Sequence, residues 1–430
     1  MLNPNTVRDI DRVVGSKICW ILSQVKKVTR RNIKEPKKIK KILFIKISEM
    51  GSTVLLYPSI RTVKRNFPQA KIFFLTFKGN EEMFDALDGI SKENIYAIET
   101  SSILGLSRDL ILIMKKLRKE HIDAVIDFEL FSRISAILSF LAKTPIQVGF
   151  HGFFMEGMYR GDFLTHKVIY NHYQHTSLSF CTLVESLKEP ISDSPLLEKR
   201  VYPSLRLPRF KPNKIQIENV LSKIKNIQPN ISNKRIVILN TNASDFLPIR
   251  RWPKEYFIKL ARLILNKLPV IVVLTGAKKE KEYVASIEKK INNVNLVNLV
   301  GQTDFMELMT LFSISHLLIT NDSGPAHFAA LTPTYIITLF GPETPLLYSP
   351  LTKRNISLIS DLASCPSVNA YNGRKSPFTD NKCMYGIKVL DVFTLAKKLL
   401  KLPSPKVTDD TTIDSRLLQA YISGYNPLLS

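Results

Sequence analysis

The chain has 430 residues, 61 Lys+Arg against 37 Asp+Glu for a formal charge of +24, and 45% hydrophobic residues. It is too long for one ordinary core and too apolar for a disordered chain, so two folded domains are expected. The positive balance favours anionic partners (phosphates, an anionic membrane surface or nucleic acid), but no RNP, C2H2 or basic-zipper signature accompanies it, and a nucleic-acid role would rest on charge alone.

No run approaches the roughly 18 apolar residues of a membrane span, and the opening MLNPNTVRDIDR lacks the apolar core of a secretory signal, so the chain is expected in the cytoplasm. Four cysteines do not make a disulfide scaffold; Cys365 and Cys383 share a C-terminal loop, and free thiols are the expectation.

Residues 1–36 form a first segment. Ile10, Val14, Ile18, Ile21, Val25 and Val28 recur at spacings of three and four, and Arg8, Arg12, Lys26, Lys27, Arg30 and Arg31 supply cations, the pattern of a basic amphipathic helix. Its apolar stripe either lies on an anionic membrane or docks on the protein's own surface. From Lys41, strands and helices alternate. The strand ILFIKI leads through Ser48-Glu49-Met50-Gly51-Ser52 into a helix over 53–66; KIFFLTF, a helical stretch 81–87, a helix 107–120 and the strand DAVIDFE follow. Such alternation predicts a parallel sheet with helices on both faces. A less regular stretch then carries His166, His172 and His175 among aromatics, which suits sugar stacking or plain packing and not metal ligation.

The proline- and lysine-rich LRLPRFKPNK, 205–214, opens an expected linker, 205–232. A second α/β cycle follows: RIVILN, helix 254–265, PVIVVLTG, helix 279–290, NLVNLV, helix 305–312, HLLIT, helix 326–330 and TYIITLF. The expected organisation is an arm at 1–36, a Rossmann-like domain at 37–204, the linker, a second Rossmann-like domain at 233–402 and a tail at 403–430. Ligands of such sheets sit beyond the carboxyl ends of the strands.

Two loops there draw attention. Asn321-Asp322-Ser323-Gly324-Pro325 passes from a strand straight into a helix, which either presents first-turn amides to a phosphate or is simply capped by Asp322 or Ser323. Pro325 suits a first helical turn. The glycine in Ser48–Ser52 lets a ligand approach the backbone. The chain contains no G-x-G, so the usual dinucleotide fingerprint is absent and a nicotinamide enzyme is not expected. The runs nearest to a metal-binding D-x-D, Asp9-Ile-Asp11 and Asp127-Phe-Glu129, lie in the basic arm and at a strand end, and no metal is expected.

NDSGPAHFAALTPTYIITLFGPETP resembles the D-[TS]-G-x-x-H-x-A-A…F-G-P-T-x-P block of glycosyltransferase family 9, the ADP-heptose:lipopolysaccharide heptosyltransferases. LNTNASDFLPIRRWPKEYF, VIVVLTGAKKEKEYV, LVGQTDFMELMTLFSISHLLITND and the opening ILFIKISEMGSTVLLYPSIRTVKRNFP resemble other blocks of that family in the same order, over roughly residues 41–395. The resemblance implies the GT-B fold, two Rossmann-like domains facing a cleft, with acceptor on the N-terminal half and donor on the C-terminal half. It implies inverting transfer without a metal or other cofactor, a nucleotide-sugar donor, expected as ADP-heptose, and an envelope glycolipid acceptor met at the cytoplasmic face of the inner membrane. Residue by residue, it places Asp322, Ser323, Gly324 and His327 at the donor turn, Arg250 at its phosphates, Thr241 and Asn242 in a hydroxyl-bearing loop and Glu280 at the ribose; Arg251, Pro325 and Thr303 are further donor-side candidates beside them. Physically, a departing pyrophosphate needs its developing charge stabilised, and a guanidinium with a helix N-terminus can do this.

One departure matters. The family's loop reads S-x-x-G-D, with the aspartate as base toward the acceptor hydroxyl, and here that position is Ser52, an inadequate base. Glu49, three residues earlier, is the candidate catalytic base, with Ser48, Gly51 and Ser52 as the acceptor loop; Asp127 and Glu129 are the alternatives. A protein that binds the nucleotide sugar without turning it over, or a basic nucleic-acid scaffold, is the other class left open.

Overall fold

The structure is a computed structural model that describes residues 9–28, 36, 38–99, 103–151, 159–192, 203–243, 248–360, 382–404 and 413. The chain divides into two compact units, Met1–Pro203 and Ser204–Ser430.

In the first unit a π-helical turn, Asp11–Gly15, runs into α1 (Ser16–Val28). Then come β1 (Lys41–Ile45), α2 (Met50–Asn66), β2 (Lys71–Phe77), a 3-10 turn Asn80–Asp85, β3 (Ile95–Ile98), α3 (Ile103–Lys119), β4 (Ala124–Asp127), α4 (Arg133–Leu141), β5 (Ile146–Phe150), β6 (His166–Val168) and α5 (Thr176–Glu185). The strands form one six-stranded parallel sheet in the order β3-β2-β1-β4-β5-β6. Leu43, Ile45, Phe73, Leu75 and Val125 turn one face toward Ile113, Met114 and Leu117 of α3 and Leu138 of α4. The helix expected from residue 53 starts three residues earlier, at Met50, and the helical stretch expected at 81–87 is the 3-10 turn.

The arm docks with the face opposite to its apolar stripe. Gly15, Cys19 and Ser23 are buried against α4 and the chain before β6, while Ile10, Val14, Ile18, Ile21, Val25 and Val28 are all exposed, Val28 at 87%. Small residues allow the close approach. A Cβ on Gly15 would lie 2.8 Å from Arg133 Cβ, and Ser23 Oγ accepts the Asp162 N–H at 2.7 Å. Asp11 caps α4 from a distance in sequence: its Oδ1 accepts the N–H groups of Arg133 (2.9 Å) and Ile134 (3.0 Å). The alternative in which the stripe itself packs on the protein therefore does not hold.

In the second unit the stretch 205–232, expected as a linker, carries α6 (Lys214–Ile227), started by an Asn213/Gln216 capping box. Before it, Leu205, Leu207 and Phe210 are buried, and Lys223 of α6 pairs with Glu307 at 2.6 Å. There follow β7 (Arg235–Asn240), α7 (Lys254–Lys267), β8 (Val270–Thr275), α8 (Lys281–Ile291), β9 (Leu296–Asn298), α9 (Phe305–Ile314), β10 (Leu317–Asn321), α10 (Gly324–Ala329), β11 (Tyr335–Phe340), α11 (Pro345–Tyr348), β12 (Asn355–Ile359), α12 (Lys382–Tyr385) and α13 (Val389–Leu399). Again six parallel strands form one sheet, β12-β11-β10-β7-β8-β9. Counted within each unit, the two sheets share one strand order, with the reversal between the first and fourth strands. Cys383 is buried; Cys365 lies outside the described residues.

Candidate active site

The reversal of strand order in the first unit lies between β1 and β4, where crossovers leave on opposite faces and open a crevice at the carboxyl ends. Lys46 follows β1 and Glu129 follows β4. Their side chains form a buried ion pair at 2.8 Å, with 4% and 8% of each exposed. The same Glu129 oxygen accepts the Ile47 N–H at 2.9 Å, the Ser48 N–H at 2.8 Å and the Ser48 hydroxyl at 2.8 Å. Burial raises the Glu129 carboxyl, but the Lys46 ammonium and these donors outweigh it and hold the group below its ordinary value. Lys46 also donates to Ser48 O at 2.8 Å. The chain is thus tied down immediately before Glu49.

Glu49 itself is exposed, at φ 57° and ψ 94°, in the left-handed half of backbone space that a non-glycine residue enters at a cost. Its carbonyl receives the Ser52 N–H at 3.0 Å and the Ser52 hydroxyl at 2.7 Å. Ser52 therefore spends its hydroxyl on the turn. Gly51 is buried in the first turn of α2. The two other acids of this region are committed elsewhere. Asp127 is buried against the Arg160 guanidinium, accepts the Ser135 hydroxyl and Glu129 N–H at 3.0 Å each, and is pushed up to about 6 by burial despite Arg160. Glu129 holds Lys46. Among the acids considered for proton removal, Glu49 is the exposed one. Of the histidines, His166 bonds Thr165 Oγ1 and Glu189 O at 2.9 Å each, and the His175 ring accepts the Ser177 N–H at 3.3 Å as the α5 cap. His172 meets Tyr170 edge-on.

In the second unit the reversal lies between β7 and β10. Neutral groups lock it. The Asn321 side chain accepts the Trp252 N–H at 2.8 Å and donates to Asn242 O at 3.1 Å, and Thr320 Oγ1 donates to Asn240 Oδ1 at 3.5 Å. Beside this lock Arg250 stands between two acids: Nη1 is 3.6 Å from Asp322 and Nη2 is 3.2 Å from Glu343, with the three side chains only 19%, 5% and 7% exposed. Ser323 precedes α10 and donates its hydroxyl to Asn321 O at 3.1 Å, and its side chain does not cap the first turn of α10. Ordinary capping by Ser323 is thereby set aside. Gly324 packs closely, since a Cβ there would lie 3.0 Å from the Phe328 ring, and Pro325 occupies the first turn as expected. His327 is buried one turn in.

The remaining donor-side candidates occupy neighbouring loops at the same ends of the strands. Thr241 and Asn242 are buried after β7. Arg251 donates to Ala243 O at 3.0 Å and lies 5.8 Å from the centroid of Tyr283. Glu280 Oε2 accepts the Ala277 N–H at 2.8 Å and approaches the β8 loop so closely that a Cβ on Gly276 would sit 2.6 Å away. Thr303 is half-buried before the Asp304 cap of α9, on a loop joined to the Glu280 loop by Gly301 N–H to Gly276 O at 2.9 Å. Sequence reasoning missed Glu343, Lys46 and Arg160. Glu343 lies in the F-G-P-E-T-P run already quoted, but nothing local marks it as the partner of a residue 93 positions away. Among the described residues no group of three or more His, Cys, Asp or Glu side chains is arranged to hold a metal ion.

The family model described as glycosyltransferase family 9 (heptosyltransferase) matches residues 111–375, more than half of the chain. A lipooligosaccharide heptosyltransferase 2 of Campylobacter jejuni is 28% identical over 357 residues, which cover 82% of this chain and 96% of that protein. The Escherichia coli ADP-heptose LPS heptosyltransferase II structure superposes with a TM-score of 0.63 at 19% identity, over 84% of this chain and 98% of that one. The Escherichia coli heptosyltransferase WaaC with ADP-2-deoxy-2-fluoro heptose gives 0.56 at 15% identity, over 83% and 99%. These likenesses establish the α/β fold with two parallel six-stranded Rossmann-like sheets that is expected of the GT-B class. The chain is a glycosyltransferase and belongs to glycosyltransferase family 9, the heptosyltransferase family.

Proposed function

We propose that this enzyme transfers heptose from ADP-heptose, with inversion, to a lipid-linked lipopolysaccharide or lipooligosaccharide core acceptor. The observation that carries the reading is Arg250 held against Asp322 at the start of α10, a cation and backbone dipole together on the donor side. The names of the relatives support the donor and acceptor class.

In this reading Arg250 and the first-turn amides of α10 take the pyrophosphate without a divalent cation. Arg251 adds positive potential, Thr241, Asn242, Ser323 and Thr303 offer polar contacts, Glu280 takes the ribose and His327 a donor hydroxyl or phosphate. In the first unit Ser48, Gly51 and Ser52 shape the acceptor loop. The Glu49 carboxylate removes the proton of the acceptor hydroxyl. That oxygen attacks the anomeric carbon on the face opposite to the pyrophosphate, the new C–O bond forms, and the bond to the β-phosphate oxygen breaks with its electron pair leaving on ADP. The enzyme works as a peripheral protein on the cytoplasmic face of the inner membrane, where such an acceptor is made; no described helix is long and apolar enough to cross a membrane.

The test is incubation with ADP-heptose and a core-truncated lipooligosaccharide in EDTA, with the lipid product read by mass spectrometry. Gain of one heptosyl unit and stoichiometric ADP are expected. Release of ADP with no lipid product, or transfer only after a divalent ion is restored, overturns the reading.

A further inference from the structure

The arm's orientation leaves an apolar stripe facing outward on a helix that is itself fixed to the fold. Its inner side is tied by Asp11 to the α4 N-terminus and by Ser23 to Asp162, so exposure of the stripe does not come from a detached segment. Ile18, Trp20 and Ile21 are 38%, 58% and 53% exposed. A second helix adds to the same side of the sheet. The α3 and α4 side chains share one core against β1, β2 and β4, Arg118 of α3 donates twice to Leu141 O, and α1 packs on Ala136, Ile137 and Phe140 of α4. On α3, Ile111 and Leu112 are 58% and 45% exposed. Exposed cations flank both apolar strips: Arg108, Lys115, Lys116 and Lys119 on α3, Lys17 and Lys27 on α1. Two of the acids interspersed with them, Asp11 and Asp109, are turned inward onto backbone amides, Asp109 onto Glu99 N–H at 3.1 Å.

We propose that α1 and α3 together form a preassembled face for an anionic lipid bilayer, the α1 stripe entering the acyl boundary and the α3 cations meeting phosphodiester head groups. Apolar burial and cation–head-group attraction are the two terms that bind such helices, and these two helices, both packed with α4, supply both. The stripe begins beside the α4 N-terminus, at the same end of the sheet as the Ser48–Ser52 loop proposed for the acceptor. This deepens the peripheral-membrane part of the reading above and rests on it only for why a bilayer would be met.

The test uses the full chain with vesicles of phosphatidylethanolamine and phosphatidylglycerol, against vesicles of phosphatidylcholine alone. The wild type should sediment with the anionic vesicles and remain in solution with the neutral ones. Ile18→Glu with Ile21→Glu should weaken partitioning roughly tenfold or more, because two inserted side chains are lost. Lys115→Glu with Lys119→Glu should weaken it by a similar factor and flatten its salt dependence. All four substitutions are on exposed positions, so melting temperature and ADP affinity by calorimetry should stay at wild-type values; those readouts also separate failure of this proposal from failure of the donor assignment. Unchanged sedimentation of both variants overturns the lipid face. So does a wild-type dimer that the Ile18/Ile21 variant dissociates with no change in vesicle binding, which assigns the stripe to a second copy of the chain.

Discussion

The two sheets have the same strand order, and the molecule closes the two reversal points by different chemistry. Between β1 and β4 the lock is ionic: Lys46 and Glu129 face each other out of water, with Asp127 and Arg160 behind them. Between β7 and β10 it is neutral, built from Asn240, Thr320 and Asn321, and the charged triad Asp322–Arg250–Glu343 stands beside it. A buried ion pair gains little net stability but is costly to break, because one charge is left uncompensated. Amide and hydroxyl locks are cheaper to lose. The difference suits the proposed roles: rigid placement of one carboxylate in the first unit, and in the second an arginine that a phosphate can recruit.

The largest effect expected is on turnover. Glu49→Gln keeps the side-chain shape and removes its basicity, and steady-state transfer should fall by about 10²–10⁴-fold with ADP affinity and melting temperature near wild type. Turnover within a few-fold of wild type would return the base to Asp127 or Glu129, and the comparison would lose its functional half.

Breaking the ionic lock comes next. Glu129→Ala leaves Lys46 buried without its carboxylate, and denaturant unfolding should show a loss of about 3–5 kcal/mol. The matching change in the second unit, Asn321→Ala, removes two neutral hydrogen bonds and should cost about 1–3 kcal/mol. Equal losses would mean that the two reversal points are energetically alike. On binding, Arg250→Ala should weaken ADP by about 1–3 kcal/mol in calorimetry with EDTA present, through the loss of charge-assisted hydrogen bonds; no change would remove Arg250 from the donor site.

The smallest effect is in pH dependence. Glu129 is held below its ordinary value of 4.5, so its contribution to stability is complete above that pH and is lost as pH falls through the lower folded-state value. Asp127 has the opposite sign: raised from 3.8 to about 6, it costs stability progressively as pH climbs through that window. Glu129→Gln should therefore flatten the acid-side fall in melting temperature, while Asp127→Asn should flatten the change between those two values.

Much of this was legible in the sequence because its signals are local. The β1 strand, the N-D-S-G-P turn before α10 and the alternation of the second unit follow from runs of apolar residues and punctuating Gly and Pro. From α4 to α5 the reading loses the elements. β6 has only three residues, and α4 has buried serines where a helix pattern would show apolar ones. The role of Glu129 was hidden for a different reason: it depends on Lys46, 83 residues away, and an acid after an apolar strand reads the same whether it is anchoring or active. The arm shows a third case. Hydrophobic periodicity identified the stripe and its two possible destinations, but the face that docks is made of Gly15, Cys19 and Ser23, which carry almost no hydrophobic signal.

The cap that Asp11 places on α4 spans 122 positions in sequence. During synthesis at about 5–20 residues per second, α1 leaves the ribosome roughly 6–24 s before its docking partner exists. Throughout that interval both faces of the arm lack a protein partner, and the outward stripe is the more apolar of the two. On the lipid face proposed above, the order of synthesis gives a lipid surface the first opportunity to hold the nascent chain, and the arm can close onto α4 only once residues 133–163 have been made.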